Sequence, residues 1–244
     1  MKGRIYIVGI GPGSREHMSG RAVEVLTSAD IVTGYKTYTR LVAGFVDPEK
    51  IISSAMKQEV PRCREALSLA SGGKSVALVS SGDPGIYGMA GLMLEIIARE
   101  NAPVDVEVVP GITSLSAAAA ILGAPVMHDF AVISLSDLLT DADLIATRLE
   151  CAARGDFVVC IYNPQSASRT ALIRKAREIL LRHRGGDTPV GIVRNAMREG
   201  ETRVVTTLED MLDHPIDMTT IVIIGNSKTF VAGGRIITPR GYAV

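Results

Sequence analysis

Three turns rich in glycine and proline follow apolar runs that are typical of β-strands. The first turn is Gly-Ile-Gly-Pro-Gly at 9–13, the second is Ser-Ser-Gly-Asp-Pro-Gly-Ile-Tyr-Gly at 80–88, and the third is Pro-Gly-Ile-Thr-Ser at 110–114. In a parallel sheet the strand C-termini share one edge, so such turns can converge on one crevice. Glycine has no Cβ atom, which lets the backbone approach a ligand closely. The pattern predicts a site for a nucleoside-sized ligand held mainly by main-chain groups.

The first turn differs from the dinucleotide fingerprint Gly-x-Gly-x-x-Gly in two respects. Its third glycine comes one residue early, with Pro12 inside the loop. The next strand ends with Ile-Val-Thr-Gly at 31–34 and lacks the carboxylate that would hold a ribose. No Gly-Lys-Ser/Thr follows, so a Walker loop is also excluded. These departures disfavour a nicotinamide dinucleotide.

The polar residues of the other two turns each allow a local role and a ligand role. Asp83 lies in an Asp-Pro-Gly sequence, where it can form a β-turn, cap the next helix or accept hydrogen bonds from a ligand. Thr113 and Ser114 can be helix N-caps or ligand contacts. We favour ligand contact for Asp83.

Strand and helix patterns alternate along the chain, which is typical of an α/β fold with a mostly parallel sheet in the first half. Strands are predicted near 4–9, 30–34, 50–53, 76–81 and 104–109, and again near 130–136, 157–163, 189–195, 202–206, 219–225 and 235–238. Helices are predicted near 18–28, 36–44, 60–72, 86–100, 113–122, 141–154, 166–183 and 208–213. This alternation is interrupted near 123–127, and a second set of strands follows. We therefore predict two α/β domains, 1–123 and 128–244, with a cleft between them.

The amino-acid composition disfavours several kinds of partner and site. Lys plus Arg and Asp plus Glu number 26 each, and this zero net charge disfavours a nucleic-acid partner. The three cysteines, Cys63, Cys151 and Cys160, lack metal-ligand spacing, so we predict buried reduced thiols and no metal site. The uncharged run 108–127 is interrupted by prolines and favours a packed core over a membrane span. No signal-peptide pattern precedes the first strand, and we expect a cytoplasmic protein.

The three turns, in this order and at these positions, resemble those of the tetrapyrrole methylases, a two-domain family that uses S-adenosylmethionine. The resemblance covers essentially the whole chain. Sequences in the second half narrow the resemblance to the precorrin-3B carbon-17 methyltransferases of cobalamin synthesis and their cobalt-precursor counterparts. These sequences are His-Asp-Phe-Ala-Val-Ile-Ser-Leu-Ser-Asp-Leu-Leu-Thr at 128–140, Val-Val-Cys-Ile-Tyr-Asn-Pro at 158–164, Val-Gly-Ile-Val-Arg-Asn-Ala at 190–196 and Thr-Pro-Arg-Gly-Tyr at 238–242. The implied reaction methylates carbon 17 of precorrin-3B and contracts the ring to precorrin-4.

The resemblance also implies site residues and partners. The donor S-adenosylmethionine, which leaves as S-adenosylhomocysteine, would contact Pro12, Ser81, Gly82, Asp83, Ile86, Thr113, Ser114, Asn163 and Ala196. The acceptor would be a tetrapyrrole bearing carboxylates, for which Lys36, Arg40, Arg169 and Arg194 are candidate ligands. A homodimer is implied by the family, and the apolar segment 89–98 is compatible with a subunit contact.

Ring contraction needs proton transfer beside methyl transfer. Candidate acid–base groups are Asp83, His128, Asp129 and Tyr162, with histidine suited to neutral pH. A His-Asp pair at 128–129 can equally well fix a loop.

Several alternatives stay open at the sequence level. They are the cobalt-containing substrate (cobalt-factor III), another precorrin position, a protein or RNA methylase of the same superfamily, a binding module without turnover and, more distantly, a dinucleotide-dependent oxidoreductase.

Overall fold

The structure, a computed structural model, describes residues 3–166 and 169–243. The chain divides into two compact units, Met1–Ser114 and Leu115–Val244, called the first and second units below.

A five-stranded parallel sheet forms the centre of the first unit. Its strands lie in the order β3-β2-β4-β1-β5. Their bounds are β1 (Arg4–Gly9), β2 (Ile31–Tyr35), β3 (Ile51–Ser54), β4 (Ser75–Ser80) and β5 (Asp105–Val109). The central strand β4 is an apolar run that is buried from Val76 to Ser80, as expected for a parallel strand covered on both faces.

Helices cover both faces of this sheet: α1 (Gly20–Ser28), α2 (Lys36–Val42), α3 (Glu59–Ser71) and α4 (Met89–Glu100). Apolar residues of α1 and α2 pack with Val8, Val32 and Val79. Those of α3 and α4 pack with Ile7 and Leu78 instead. Because successive strand residues point to opposite faces, the two helix pairs lie on opposite sides of the sheet. Short 3₁₀ turns occur at Arg15–His17 and Pro48–Lys50.

The order of the strands creates a topological switch point. The neighbouring strands β1 and β4 are followed by α1 and α4, which cover opposite faces. Between such strands the connections diverge and leave a crevice at the C-terminal edge of the sheet, where open α/β sheets bind ligands. The first and second turns emerge at this crevice.

The second unit contains a mixed sheet in the order β10-β9-β11-β8-β7. The pair β7–β8 is parallel, and the pairs that involve β9, β10 and β11 are antiparallel. Its elements are α5 (Ser114–Leu122), β7 (Phe130–Ser134), α6 (Ala142–Arg154), β8 (Val158–Tyr162), α7 (Ala171–Leu181), β9 (Pro189–Arg194), β10 (Thr202–Thr207), a 3₁₀ turn (Met211–Asp213) and β11 (Thr220–Ile224). A small sheet adds β6 (Gly123–Ala124), β12 (Phe230–Ala232) and β13 (Arg235–Ile237).

The division between the units falls earlier than the predicted boundary at 123–128. Helix α5 belongs with the second unit because Leu115, Ala118 and Leu122 pack with Val158 and Val193. The alanine-rich sequence of α5 lets the helix lie close to that face of the sheet. Helices α6 and α7 cover the other face.

Helix α4 buries Ala90, Met93 and Ile96 on one face only, and Leu94 is 44% exposed, because a sheet covers only one side of this helix. One prediction about exposure is wrong, because Cys151 is exposed on α6, whereas Cys63 and Cys160 are buried as predicted. Burial raises the pKa of the Cys63 thiol to about 11 and that of Cys160 to about 12.

The uncharged run 108–127 folds as the end of β5, the third turn, α5 and β6. Across the ranges that the structure describes, no helix has both the length and the apolar character that crossing a bilayer requires.

Candidate functional site

The three glycine-containing turns meet at the C-terminal edge of the first unit's sheet, as predicted. The Gly11 N–H donates to the Gly82 carbonyl at 3.0 Å. A Cβ atom on Gly11 would lie 2.0 Å from the carbonyl oxygen of Ile112, and one on Gly111 would lie 2.2 Å from that of Gly82. Any side chain larger than hydrogen would therefore push the turns apart. The glycines are required so that three backbone segments can share one crevice.

Asp83 braces the second turn against the third. Its Oδ1 accepts from the Gly85 N–H at 2.8 Å, and its Oδ2 accepts from the Gly111 N–H at 3.1 Å. Both carboxylate oxygens thus hold main-chain groups of the crevice in place. Each oxygen has a further lone pair, so a contact of Asp83 with a ligand stays a prediction.

Two residues of the second turn lie in the left-handed region of backbone conformation. Gly82 has φ +61°, and Tyr87 has φ +54°. A Cβ atom on Gly82 would lie 3.7 Å from Thr113 Cα, so Thr113 and Ser114 border this glycine. Positive φ values at non-glycine residues are concentrated at functional sites. Apolar surface is also available, since Ile86 and Ile112 are both partly exposed.

Residues with positive φ values also lie at one edge of the second unit's sheet. Asn163 follows β8 with φ +49°, and Asn195 and Met197, on either side of Ala196, have φ +49° and +55°. Strands β8 and β9 are both antiparallel to β11, so they are parallel to each other and end at the same edge. Asn163 Nδ2 donates to Ser134 Oγ at 2.9 Å, which ties it to the end of β7. The two predicted donor contacts of this unit, Asn163 and Ala196, therefore lie at one edge.

Arg169 organises this edge, a role that the sequence did not indicate. Its Nη1 donates to the Leu135 carbonyl at 2.8 Å, and its Nη2 donates to the Asn163 carbonyl at 3.2 Å. The side chain is only 12% exposed. Arg169 therefore links the loops after β7 and β8, and its guanidinium already binds carbonyls of the protein. These contacts disfavour Arg169 as a ligand of substrate carboxylates.

The structure does not bring the predicted acid–base groups of the second unit together. Tyr162 ends β8, and its buried hydroxyl accepts from the Leu115 N–H of α5 at 2.9 Å. His128 precedes the start of β7, which runs parallel to β8, and so lies toward the opposite edge of the sheet. Its exposed ring accepts from the neighbouring Asp129 N–H at 2.8 Å. Catalytic roles for His128 and Tyr162 stay predictions.

Two predicted basic ligands lie in the first unit. Lys36 and Arg40 are both exposed on α2, which begins directly after β2. Lys36 is thus at the same edge of the sheet as the three turns.

Comparison with known proteins identifies the family. The family described as Tetrapyrrole (Corrin/Porphyrin) Methylases matches residues 4–212. A Salmonella typhimurium protein named a probable cobalt-factor III C(17)-methyltransferase is 49% identical over 98% of this chain and 100% of its own length. A Priestia megaterium protein named cobalt-factor III methyltransferase is 50% identical over 99% of this chain, and the chain spans 46% of its length. The chain belongs to the tetrapyrrole methylase family.

Solved structures agree with this assignment. The crystal structure of the methyltransferase CobJ has a TM-score of 0.90 and 34% identity, and the match covers 97% of this chain and 100% of that one. Uroporphyrin-III C-methyl transferase from Thermus thermophilus, complexed with S-adenyl homocysteine, has a TM-score of 0.71 and 27% identity, with 91% and 97% of the two chains covered. The family and the fold class predicted from the motifs are therefore confirmed, and these matches give no support to a dinucleotide oxidoreductase.

Proposed function

We propose that this protein uses S-adenosylmethionine to methylate carbon 17 of cobalt-factor III, with contraction of the macrocycle, in cobalamin biosynthesis. The main observation in support of a methyl-donor site is the crevice in which three glycine turns meet at a topological switch point. The choice of substrate is supported by the Salmonella relative, which matches over its full length. We therefore place the cobalt-containing substrate ahead of metal-free precorrin-3B, the reverse of the order favoured by the sequence analysis.

The crevice has the chemistry that an S-adenosyl group requires. Close backbone approach at Gly11, Gly82 and Gly111 leaves main-chain groups to bind the nucleoside and amino-acid parts. The exposed apolar surfaces of Ile86 and Ile112 suit a flat ring. The residues that would hold the donor are Pro12, Ser81, Gly82, Asp83, Ile86, Thr113 and Ser114. Asn163 and Ala196 are proposed as further contacts from the family resemblance.

When bound, S-adenosylmethionine supplies a methyl group activated by a sulfonium centre. The protein has to hold the donor in one orientation relative to the acceptor carbon. Alignment of two reactants in this way can lower a barrier by about 7–11 kcal/mol. The braced turns serve this purpose, because Asp83 and the contacts among the glycines restrict motion of the crevice.

The proposal is tested by methyl transfer from labelled donor to purified cobalt-factor III and, in parallel, to precorrin-3B. We expect turnover with the cobalt-containing substrate and a lower kcat/KM with precorrin-3B. Absence of transfer to both tetrapyrroles would contradict the proposed function.

The donor site is tested separately by calorimetric titration with S-adenosylhomocysteine. Asp83→Ala removes two hydrogen bonds to main-chain donors, each worth about 1.5–3 kcal/mol where one partner is charged. We expect affinity to fall by a factor of about 10 or more. Asp105→Ala is the matched control, because Asp105 is exposed at the opposite end of β5 from the third turn. Equal affinity in the two variants would reject the assignment of Asp83.

We also propose that the protein is a cytoplasmic homodimer. The free cysteines Cys63, Cys151 and Cys160 are typical of a reducing compartment. Partly exposed apolar side chains, Leu94 on α4 and Val108 on β5, support a subunit contact in the first unit. Light scattering coupled to size exclusion measures the assembly directly.

A further inference from the structure

A cavity of about 450 Å³ opens in the second unit. It lies between the start of α7, the end of β9 and the segment 212–217 that leads into β11. Its charged and titratable lining consists of Arg174, Arg194, His214 and Asp217. None of these residues has a part in the donor site described above.

Arg194 has a guanidinium that is oriented but only partly used. Its Nε donates to Asp217 Oδ2 at 2.7 Å. Within residues 3–166 and 169–243, no acceptor is hydrogen-bonded to its Nη1 or Nη2. Arg21 is a useful contrast, since its Nε and Nη2 both bind Glu107. The terminal nitrogens of Arg194 therefore form a fork that can receive a carboxylate in bidentate geometry.

Asp217 is itself held rigidly, so it fixes the direction of Arg194. Its Oδ1 accepts from the Thr219 N–H at 2.8 Å, from Thr219 Oγ1 at 2.7 Å and from Thr220 Oγ1 at 3.0 Å. Burial alone would raise the pKa of Asp217, but hydrogen bonds from Thr219, Arg194 and Thr220 lower it overall. The carboxylate thus stays ionised and orients the guanidinium before any ligand binds.

The charge around the cavity favours an anion. Arg174 is exposed, and its guanidinium makes no ion pair with any part of the chain that the structure describes. Two arginines and one carboxylate therefore line the cavity, together with the imidazole of His214. His214 Nε2 lies 3.2 Å from Thr206 Oγ1. The lining carries a net positive charge that a ligand carboxylate would balance.

The cavity adjoins the predicted donor contacts of the same unit. Its lining residue Gln165 comes two positions after Asn163, and Arg194 comes two positions before Ala196. A tetrapyrrole that presents its reacting carbon at this edge would carry its side-arm carboxylates into the neighbouring space.

We propose that this cavity binds a carboxylate side arm of the tetrapyrrole substrate, with the Nη atoms of Arg194 as the main donors and Arg174 as a second cation. The proposal rests on the proposed function, since it takes the substrate class from it. Asp217 acts as a positioning residue through Arg194.

The test compares Arg194→Gln and Arg174→Gln with Lys175→Gln. Lys175 is the matched control because it is exposed on the same helix as Arg174 but does not line the cavity. Steady-state methyl transfer to cobalt-factor III gives KM for the tetrapyrrole and kcat, and calorimetry gives the affinity for S-adenosylhomocysteine. Circular dichroism verifies that each variant is folded.

We expect Arg194→Gln to raise KM about 10- to 100-fold, the range for losing a hydrogen-bonded charge, and Arg174→Gln to raise it less. Donor affinity should not change, and Lys175→Gln should behave as the wild type. Arg194→Lys should recover only part of the loss, since it keeps the charge without the fork. Equal KM values for Arg194→Gln and Lys175→Gln would overturn the proposal.

The two proposals fail in different ways. If the wild type transfers methyl groups but KM does not change when Arg194 or Arg174 is substituted, only the cavity assignment is wrong. If the wild type transfers no methyl groups, the proposed function is wrong. The cavity assignment is then tested by the binding of uroporphyrin, an octacarboxylate tetrapyrrole. Binding that is weakened by Arg194→Gln supports it, whereas absent or unchanged binding rejects it.

Discussion

At the scale of single residues, the hydroxyl of Tyr162 shows how a candidate for chemistry can have a structural function. The sequence places this tyrosine directly before Asn163, among residues predicted to bind the donor. In the structure the hydroxyl is buried and accepts from the Leu115 N–H, at the start of α5. An amide that is buried without an acceptor costs about 1–3 kcal/mol. The contact therefore secures α5 against β8.

Tyr162→Phe distinguishes these two roles. We expect the free energy of unfolding to fall by about 1–3 kcal/mol, because the Leu115 N–H loses its acceptor. The kcat for methyl transfer should change by less than about threefold, which is below 1 kcal/mol in the barrier. Urea unfolding and steady-state kinetics on the same preparation measure both quantities. A large loss of kcat at unchanged stability would establish Tyr162 as a proton-transfer group.

At the scale of elements, the turns after β1, β4 and β5 are packed so closely that no space is left for a side chain at the glycines in contact. A Cβ atom on Gly111 would lie 2.2 Å from the Gly82 carbonyl oxygen, and neither backbone segment can move without disturbing the hydrogen bond from Gly111 to Asp83. Gly91, on the exposed face of α4, has no atom within 4 Å of an added Cβ. The same substitution should therefore have opposite effects at the two positions.

Gly111→Ala should destabilise the protein by at least about 2 kcal/mol and weaken binding of S-adenosylhomocysteine, because the added methyl group overpacks the crevice. Gly91→Ala should stabilise it by about 0.5–1 kcal/mol, since alanine lowers the entropy of the unfolded chain and favours helix. Chemical unfolding and calorimetry measure both variants. Equal stability of the two would show that the turns are not in close contact.

The elements also show what could be predicted from local patterns. The five strands of the first unit, and β7 to β11 of the second, occur within one or two residues of their predicted positions because apolar runs bounded by glycine and polar residues are strong signals. Strand β6 has only two residues, Gly123–Ala124, and pairs with β13 more than a hundred residues later. No periodicity exists over two residues, so this strand could not be predicted. Helix α7 begins at Ala171 rather than 166, and residues 167–168 lie outside the described part.

At the scale of the whole molecule, several carboxylates are stabilised in their ionised form in the folded state. Hydrogen bonds from Ser75 lower the pKa of Asp30, and the bidentate contact with Arg21 lowers that of Glu107. The pKa of Asp217 in the second unit is also lowered. A folded-state pKa below the unfolded value means that the folded protein binds fewer protons. The resulting stabilisation is complete above the unfolded pKa, about 4, and is lost as the pH falls through the folded pKa.

Glu107→Gln should reveal this dependence. At pH 7 the variant should be less stable than the wild type by about 1 kcal/mol or less, as expected for a partly exposed ion pair. The difference should shrink between pH 5 and pH 3 as Glu107 of the wild type is protonated. Glu65→Gln is the control for the loss of a carboxylate charge, because Glu65 is exposed on α3. Urea unfolding at each pH measures the differences, and a constant difference for Glu107→Gln would contradict the prediction.

The sequence by itself determined the α/β class, the positions of most strands and the three glycine turns, because apolar periodicity and the backbone freedom of glycine act over a few residues. Only the tertiary structure decided which distant groups pair. Asp83 reaches Gly111, Tyr162 reaches Leu115, Arg169 reaches Leu135 and Arg194 reaches Asp217. These pairs depend on strand order and on the packing of helices against sheets, which place residues 23 to 47 positions apart within hydrogen-bonding distance. Local patterns carry no information about such separations, so the division of roles among these residues emerged only from the fold.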